Sequence, residues 1–415
     1  MRIRYTTEKN GRPVKKAAVY TLDEHGIRSA DIDKDAAAIV ERLRANGYET
    51  YIVGGAVRDL ILGKRPKDFD IVSEASPAKI KRVFRNARII GRRFRLVHVY
   101  FGPKLFEVST FRSLKDGPTS NTYGTIEEDV LRRDFSLNAL FYDPQNQVVV
   151  DYVGGMRDIR DKRIRPVIPL GLIFMDDPVR MIRAVKYAAA TGFKLPLALR
   201  WKIKRQSSLL GEISPSRLTE EILKIIHSPA AGHIIEALEQ FGLYRYLQPK
   251  ASGMMRENPL FRGRYLKSFV ELNQNGGGRP GRVIAALIRD FLEDFVDWEE
   301  GIVENYKNAF IAARQFLLPM NPPRMELDRA VRLIFGEHGI TINRSHFLEG
   351  GKPPFRNAET PDYGMSEGEG LHPPGKKRLP RRRHRKEGEK APIGAAGGGS
   401  PPGPYTDPGK PPPLD

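Results

Sequence analysis

The stretch from Tyr51 to Asp70 constrains the fold more than any other part of this chain. Tyr51-Ile52-Val53 is a short apolar strand, Gly54-Gly55 follows at once, and Val57–Leu62 has the apolar spacing of a helix. A strand running into a glycine pair can turn more sharply than residues with a Cβ permit. It also brings backbone N–H groups to the helix start, which suits phosphate. Arg58, one turn in, adds positive charge. Taken alone, such a segment is usually no more than a turn. The next strand, Asp68–Val72, changes that reading, because it opens on Asp68-Phe69-Asp70. Side chains at i and i+2 of a strand share a face, roughly 6.5–7 Å apart. Two carboxylates so placed can grip divalent cations that activate a hydroxyl and stabilise a leaving oxygen.

The surrounding pattern mixes helices and strands to about residue 150. A helix is expected over Ala36–Asn46, a strand at Glu49–Val53, and a helix at Ala78–Phe84 started by Ser76-Pro77. Strands at Arg95–Phe101 and Leu105–Phe111 are joined by Gly102-Pro103-Lys104, a hairpin signal. Glu107, on the second of them, is a third carboxylate of the same presumed sheet. From Pro178 the periodicity becomes almost wholly helical, with helices expected at Arg180–Thr191, Ile234–Leu247, Arg282–Phe295 and Met325–Phe335. Gly276-Gly277-Gly278-Arg279-Pro280 breaks that run.

Composition sets the limits on chemistry. With no Cys there can be no disulfide, thiol nucleophile or thiolate zinc site. The eight His are scattered, so a metal must be held by oxygen, which points to Mg²⁺ or Mn²⁺. The net charge is +19, and the last 70 residues carry only +3 of it (12 Lys and Arg against 9 Asp and Glu). The globular part is therefore basic in its own right, as expected of a nucleic-acid binder. The N-terminus has no apolar signal core, and no apolar run is long enough to span a bilayer, so the chain is expected in the cytoplasm. Beyond His346, Gly and Pro supply 27 of 70 residues, and 8 Lys or Arg fall within Lys376–Lys386. That composition predicts a disordered basic tail.

Two further clusters carry charge in useful patterns. Arg132-Arg133-Asp134-Phe135-Ser136-Leu137-Asn138 sets guanidiniums beside a carboxylate and an amide, a combination able to bind triphosphate and ribose. Asp176-Asp177-Pro178-Val179-Arg180-Met181-Ile182-Arg183 caps a helix and puts Arg180 and Arg183 on one face, able to read a base edge.

In combination these segments resemble the bacterial poly(A) polymerase and CCA-adding family of nucleotidyltransferases. The resemblance rests on Gly54–Asp59, Lys67–Ile71, Arg132–Ala139, Asp151-Tyr152-Val153-Gly154-Gly155 and Asp177–Arg180, in that order. It implies an α+β fold: a catalytic head with a small mixed sheet, then an all-helical neck and body, then the disordered tail. The boundaries expected are a flexible arm 1–30, head 31–155, neck 156–230, body 231–345 and tail 346–415. The resemblance further implies template-independent addition of AMP from ATP to RNA 3′ ends, with Asp68 and Asp70 as Mg²⁺ or Mn²⁺ ligands. Asp134 and Glu107 are rival candidates for a third acid. Gly54, Gly55 and Arg58 fall to the triphosphate, Arg133 and Asn138 to the nucleotide, and Asp177, Arg180 and Arg183 to the base. The expected partners are RNA, ATP and the RNA-degradation machinery, with the chain a monomer away from membranes.

Within the family, Gly91-Arg92-Arg93-Phe94-Arg95-Leu96-Val97-His98-Val99 and the Arg-rich tail resemble the poly(A) polymerase branch. The alternatives are CCA addition to tRNA, and a catalytically silent RNA-binding protein, against which both Asp68 and Asp70 stand intact. Two departures bear on this. Asp176 stands where many relatives have Glu, and the connection between Arg112 and Asn121 is short.

Overall fold

The structure, a computed structural model, describes residues 2–7, 13–91, 95–113, 122–274, 278–299 and 302–342. It opens with β1 (Arg2–Thr7), β2 (Pro13–Tyr20), α1 (Leu22–His25) and α2 (Lys34–Ala45). The central units are β3 (Thr50–Val53), α3 (Gly55–Ile61), β4 (Asp70–Ser73), α4 (Pro77–Val83), β5 (Ala87–Ile90), β6 (Leu96–Phe101) and β7 (Lys104–Thr110). Next come α5 (Ile126–Arg132), a 3₁₀ turn at Ser136–Asn138, β8 (Leu140–Asp143) and β9 (Val148–Asp151).

Among the described residues these strands form one nine-stranded sheet in the order β1-β2-β9-β8-β3-β4-β7-β6-β5. Only β4 and β7 run parallel. The period of two along β3 explains how the sheet is covered. Tyr51 and Val53 join Val72, Phe111, Ile126, Val130, Phe141 and Val150 in one buried cluster that includes α5. Ile52 and Ile71, fully buried on the opposite face, lie on the side covered by α2 and α3. In α2 the spacing Ala36, Ile39, Val40, Leu43 lines one helical face and all four are fully buried. Each large apolar side chain so buried contributes ~1.5–3 kcal/mol. Ser76 caps α4 by accepting from Lys79 N, with Pro77 in the first turn.

The rest is helical: α6 (Gly155–Arg160), α7 (Ile173–Asp176), α8 (Val179–Thr191), α9 (Leu197–Gln206), α10 (Pro215–Ile226), α11 (Ala231–Gln240) and α12 (Tyr244–Leu247). Then follow α13 (Pro249–Glu257), α14 (Pro259–Gln274), α15 (Pro280–Phe295), α16 (Ile302–Phe316) and α17 (Arg324–Glu337). Among the described residues no helix is long and apolar enough to cross a membrane.

Three expectations need correction. The flexible arm expected over residues 1–30 is not what folds: β1 and β2 form an antiparallel pair, and β2 joins the sheet through Ala18↔Asp151, Val19↔Val150 and Tyr20↔Val149. Burial of Ala17, Ala18, Val19 and Tyr20 against the sheet outweighs the polar composition of the segment. Asp68 does not lie on a strand, since β4 begins only at Asp70. The helix expected over Ile234–Leu247 is two, because Gly242 adopts φ +67° between α11 and α12. The expected hairpin between β6 and β7 is present, with Phe101 opposite Lys104. Arg92, Arg93 and Phe94 lie outside the described residues, as do most of the connection from Arg112 to Asn121 and the tail from His346.

Candidate active site

The glycine pair works as the sequence demands. Gly54 ends β3 with φ +72° and ψ −132°, a conformation that any residue with a Cβ enters only under strain, and α3 starts at Gly55. A Cβ placed on Gly54 would stand 3.7 Å from Arg133 Nη1 and 3.9 Å from Asp70 Oδ2, so this turn lies between the guanidinium and the carboxylate.

Strand register collects the acids. Val53 pairs with Asp70, and the parallel pairing Ile71↔Val108 sets Asp70, at the start of β4, beside Glu107, in the middle of β7. Asp68 precedes them by a step of loop. The Asp70 side chain is open to solvent, yet the protein around it still strips water from the carboxyl. Burial first, then the charge of Glu107, push its pKa up to about 6; Arg133 pulls the other way and Asp68 adds to the rise. Glu107 is half exposed, 3.6 Å from His98 Nε2 across the β6–β7 pair. Among the described residues no three Asp, Glu or His groups are gathered tightly enough to enclose a metal ion. The donor set is nonetheless all oxygen, and its mutual repulsion is what a divalent cation would relieve.

Asp134 lies elsewhere. It is buried, its Oδ1 accepts from Phe135 N (2.7 Å) and Asn138 Nδ2 (3.1 Å), and its Oδ2 accepts from Tyr187 Oη (3.3 Å). Asn138 in turn accepts from Arg58 Nη1 (2.8 Å), whose guanidinium also lies 5.3 Å over the Tyr187 ring. Arg133 is fixed by two bonds to Asp129 Oδ2 (2.9 and 3.3 Å) and one to Asn138 O (3.2 Å). The α5 capping box of Thr125 and Glu128 sets the helix that delivers it, a device worth ~1 kcal/mol. Arg58, Arg133, Asn138 and Asp134 thus form one connected network beside Gly54 and Gly55.

The Asp151–Gly155 segment has a structural explanation. Asp151 accepts backbone N–H bonds from Val153, Gly154, Gly155 and Met156, all within 3.1 Å. A Cβ on Gly155 would meet Ser136 O at 2.2 Å, so only glycine lets α6 approach the turn that carries Asn138.

On the helical side, Asp177 accepts from Val179 N and from Arg217 Nη2 at 2.9 Å to both oxygens. Arg180 is buried, bonded to Arg132 O (2.9 Å) and paired with Asp176 (2.6 Å). Arg183, expected at the base, is held by Glu221 (2.7 and 2.8 Å) and stands 4.0 Å from Asp134. Sequence reasoning missed Asp129, Tyr187, Arg217 and Glu221. Arg217 and Glu221, four apart on α10, are the one pair that helical spacing in the sequence signals.

Two segments match known domains: residues 50–165 the poly A polymerase head domain, and residues 192–255 a probable RNA- and SrmB-binding site of polymerase A. The chain is 40% identical over 259 residues to a poly(A) polymerase I of Escherichia coli O6:H1, covering 59% of this chain and 56% of that one. It is 36% identical over 220 residues to a CCA-adding enzyme of Geobacillus thermodenitrificans, covering 52% and 54%. The chain thus spans about half the length of the curated relatives it matches. Among solved structures, the Bacillus stearothermophilus CCA-adding enzyme in complex with CTP superposes with TM-score 0.52 at 26% identity, over 76% of this chain and 87% of that one. Over these matched segments the chain is similar to the bacterial poly(A) polymerases and the CCA-adding enzymes, both nucleotidyltransferases.

Proposed function

We propose that this chain adds AMP from ATP to RNA 3′ ends without a template. The observation that carries the reading is the meeting of Asp68, Asp70 and Glu107 with the Gly54 turn, Arg58 and Arg133, in the segment that matches the polymerase head. In this reading the 3′-hydroxyl oxygen attacks the α-phosphorus, a new phosphodiester forms, and pyrophosphate leaves. Asp68 and Asp70, with Glu107 beside them, would hold Mg²⁺ or Mn²⁺. When bound, such a cation lowers the hydroxyl pKa and stabilises charge on the reacting oxygens. Arg58 and Arg133 face the triphosphate as fixed guanidiniums, and Asn138, braced by Asp134, orients Arg58. Asp177 and Arg180 address the base once it enters.

Glu107, not Asp134, is the third acid in this reading, because it faces Asp70 while the Asp134 oxygens are occupied by Phe135, Asn138 and Tyr187. Glu107→Gln should lower kcat for AMP transfer about a hundredfold with ATP KM little changed. Asp134→Asn should act mainly on ATP KM, through Asn138 and Arg58, and leave kcat within about tenfold. Steady-state kinetics on both variants decides; the reverse pattern restores Asp134 as the third acid.

AMP is favoured as the unit because the poly(A) polymerase I relatives match over a longer stretch and, in Escherichia coli, at higher identity than the CCA-adding enzymes. CCA addition is the second reading, supported by the likeness to the CTP-bound structure. The test is primer extension with Mg²⁺ and each NTP alone, on an unstructured RNA and on tRNA trimmed of its 3′-CCA. ATP-only growth of the unstructured primer is expected. CTP-then-ATP addition confined to the trimmed tRNA would establish the second reading instead.

A further inference from the structure

We propose that Trp201 and Arg205, on the exposed face of α9, form a stacking platform for an unpaired stretch of the RNA behind its 3′ end. This deepens the transfer reading, on which it rests for the identity of the ligand. Trp201 is 59% exposed and Leu197, one turn before it, 79%. On a helix these two and Arg205 follow one another at intervals of four, so they line a single stripe. The Arg205 guanidinium lies 5.0 Å from the Trp201 ring centroid. Leu197, Ala198, Trp201 and Lys202 share a cleft of about 500 Å³ with Leu170 and Gly171. Exposed Leu172 and Met175 continue the apolar surface, and Gln206 reaches Met175 Sδ at 3.5 Å. The surface therefore runs to the end of α7, next to Asp177 and Arg180, where the base is proposed to enter.

Charge identifies the occupant. From Phe193 to Gly211 there are five Lys or Arg and no acid. Among the described residues none of Lys194, Arg200, Lys202, Lys204 and Arg205 is paired with a carboxylate. A protein partner's contact core is depleted of charge, whereas an exposed aromatic ring with Arg205 over it and Lys202 beside it, on a segment without acids, suits a polyanion whose bases have π-faces. Base–aromatic stacking tolerates any sequence and adds strongly to single-strand affinity. Apolar residues this exposed would otherwise be a liability for a solvated helix. The segment also falls inside the match to the RNA- and SrmB-binding region.

The chain has two Trp, and the other, Trp298, is stacked on His338 at 3.7 Å, so intrinsic fluorescence can report on Trp201. Titrating the full chain with a short oligoadenylate should quench Trp emission. Trp298→Phe should keep the quench. Trp201→Leu, which retains an apolar side chain at an exposed position, should lose the quench, weaken oligoadenylate binding about tenfold, and raise primer KM with ATP KM unchanged. Arg205→Gln should weaken binding in the same direction, with the melting temperature of each variant held as the folding control. Unchanged oligoadenylate affinity in Trp201→Leu overturns the platform and leaves a protein partner as the occupant of this face. The titration needs no turnover. A chain that quenches but transfers no AMP would therefore sink the transfer reading and spare this one.

Discussion

Asp68→Ala and Asp70→Ala are each expected to cut AMP transfer by at least about a thousandfold, the several kcal/mol that metal-assisted charge stabilisation supplies. The melting temperature should not fall. Neither carboxylate is part of the buried core, and Asp70 is held against its own preference. Its pKa stands at about 6 through burial, through Glu107 and, more weakly, through Asp68, with Arg133 and, less, Lys224 opposing. A carboxyl raised in the folded state contributes stability below its unfolded pKa and loses it as pH rises through 6. At neutral pH the ionised, metal-free Asp70 therefore burdens the fold, and Asp70→Asn should melt at or above the parent. Single-turnover primer extension and thermal melts at pH 7.5 test the two halves separately. Retained transfer with either Asp removed would end the assignment of Asp68 and Asp70. A lower melting temperature would mean that the acids support the fold, not only the chemistry.

How much of this could be read from the sequence depends on how local the determinant is. The Gly54-Gly55 turn was legible because strand, turn and helix lie within a dozen residues, and the structure gives Gly54 the positive φ that the turn needs. The hairpin of β6 and β7 was legible for the same reason. The relation of Asp70 to Glu107 was not. It depends on β4 pairing in parallel with β7, 37 residues away, and register is fixed by packing. Asp134 and Glu107 therefore looked equivalent until the strands were aligned. Asp68 was read as a strand residue because alternation cannot tell the last loop residue from the first strand residue. The N-terminal strands were missed because a polar, basic segment carries little apolar signal. Ala17–Tyr20 become core only once β9 provides an edge to pair with. The brace behind Arg58 was invisible for a like reason: Tyr187 and Glu221 come from two helices that meet only in the fold.

That brace carries the second large expected effect, in Glu221→Gln. Glu221 on α10 is buried and accepts from Arg183 Nε (2.8 Å) and Lys186 Nζ (2.8 Å), both on α8. Arg183 passes the link to Asp134, Asp134 to Tyr187 and Asn138, and these two to Arg58. Burial alone would raise the Glu221 pKa, but Lys186 and Arg183 outweigh it and bring the carboxyl to about 2. Burial also pushes the Lys186 ammonium down, so Arg183, which does not deprotonate, is the partner that keeps the group ionic. Removing one member of a buried pair strands the others and costs ~3–5 kcal/mol, so the melting temperature should drop by on the order of 10 °C. The pH dependence separates this electrostatic account from a packing defect. A depressed carboxyl contributes stability above its unfolded value near 4.5, here up to about 3 kcal/mol, and loses it as pH falls through 2. The difference between parent and Glu221→Gln should therefore be full at pH 7 and shrink between pH 4.5 and 2, as the parent protonates the same group. Urea melts at pH 7 and pH 3 measure it. A difference that stays constant across that window would mean that the lost stability is a matter of shape, not charge. ATP KM should rise in the variant as well, because Arg58 loses the far end of its support; an unchanged ATP KM in a destabilised Glu221→Gln would cut the chain from α10 to the triphosphate site at Arg183.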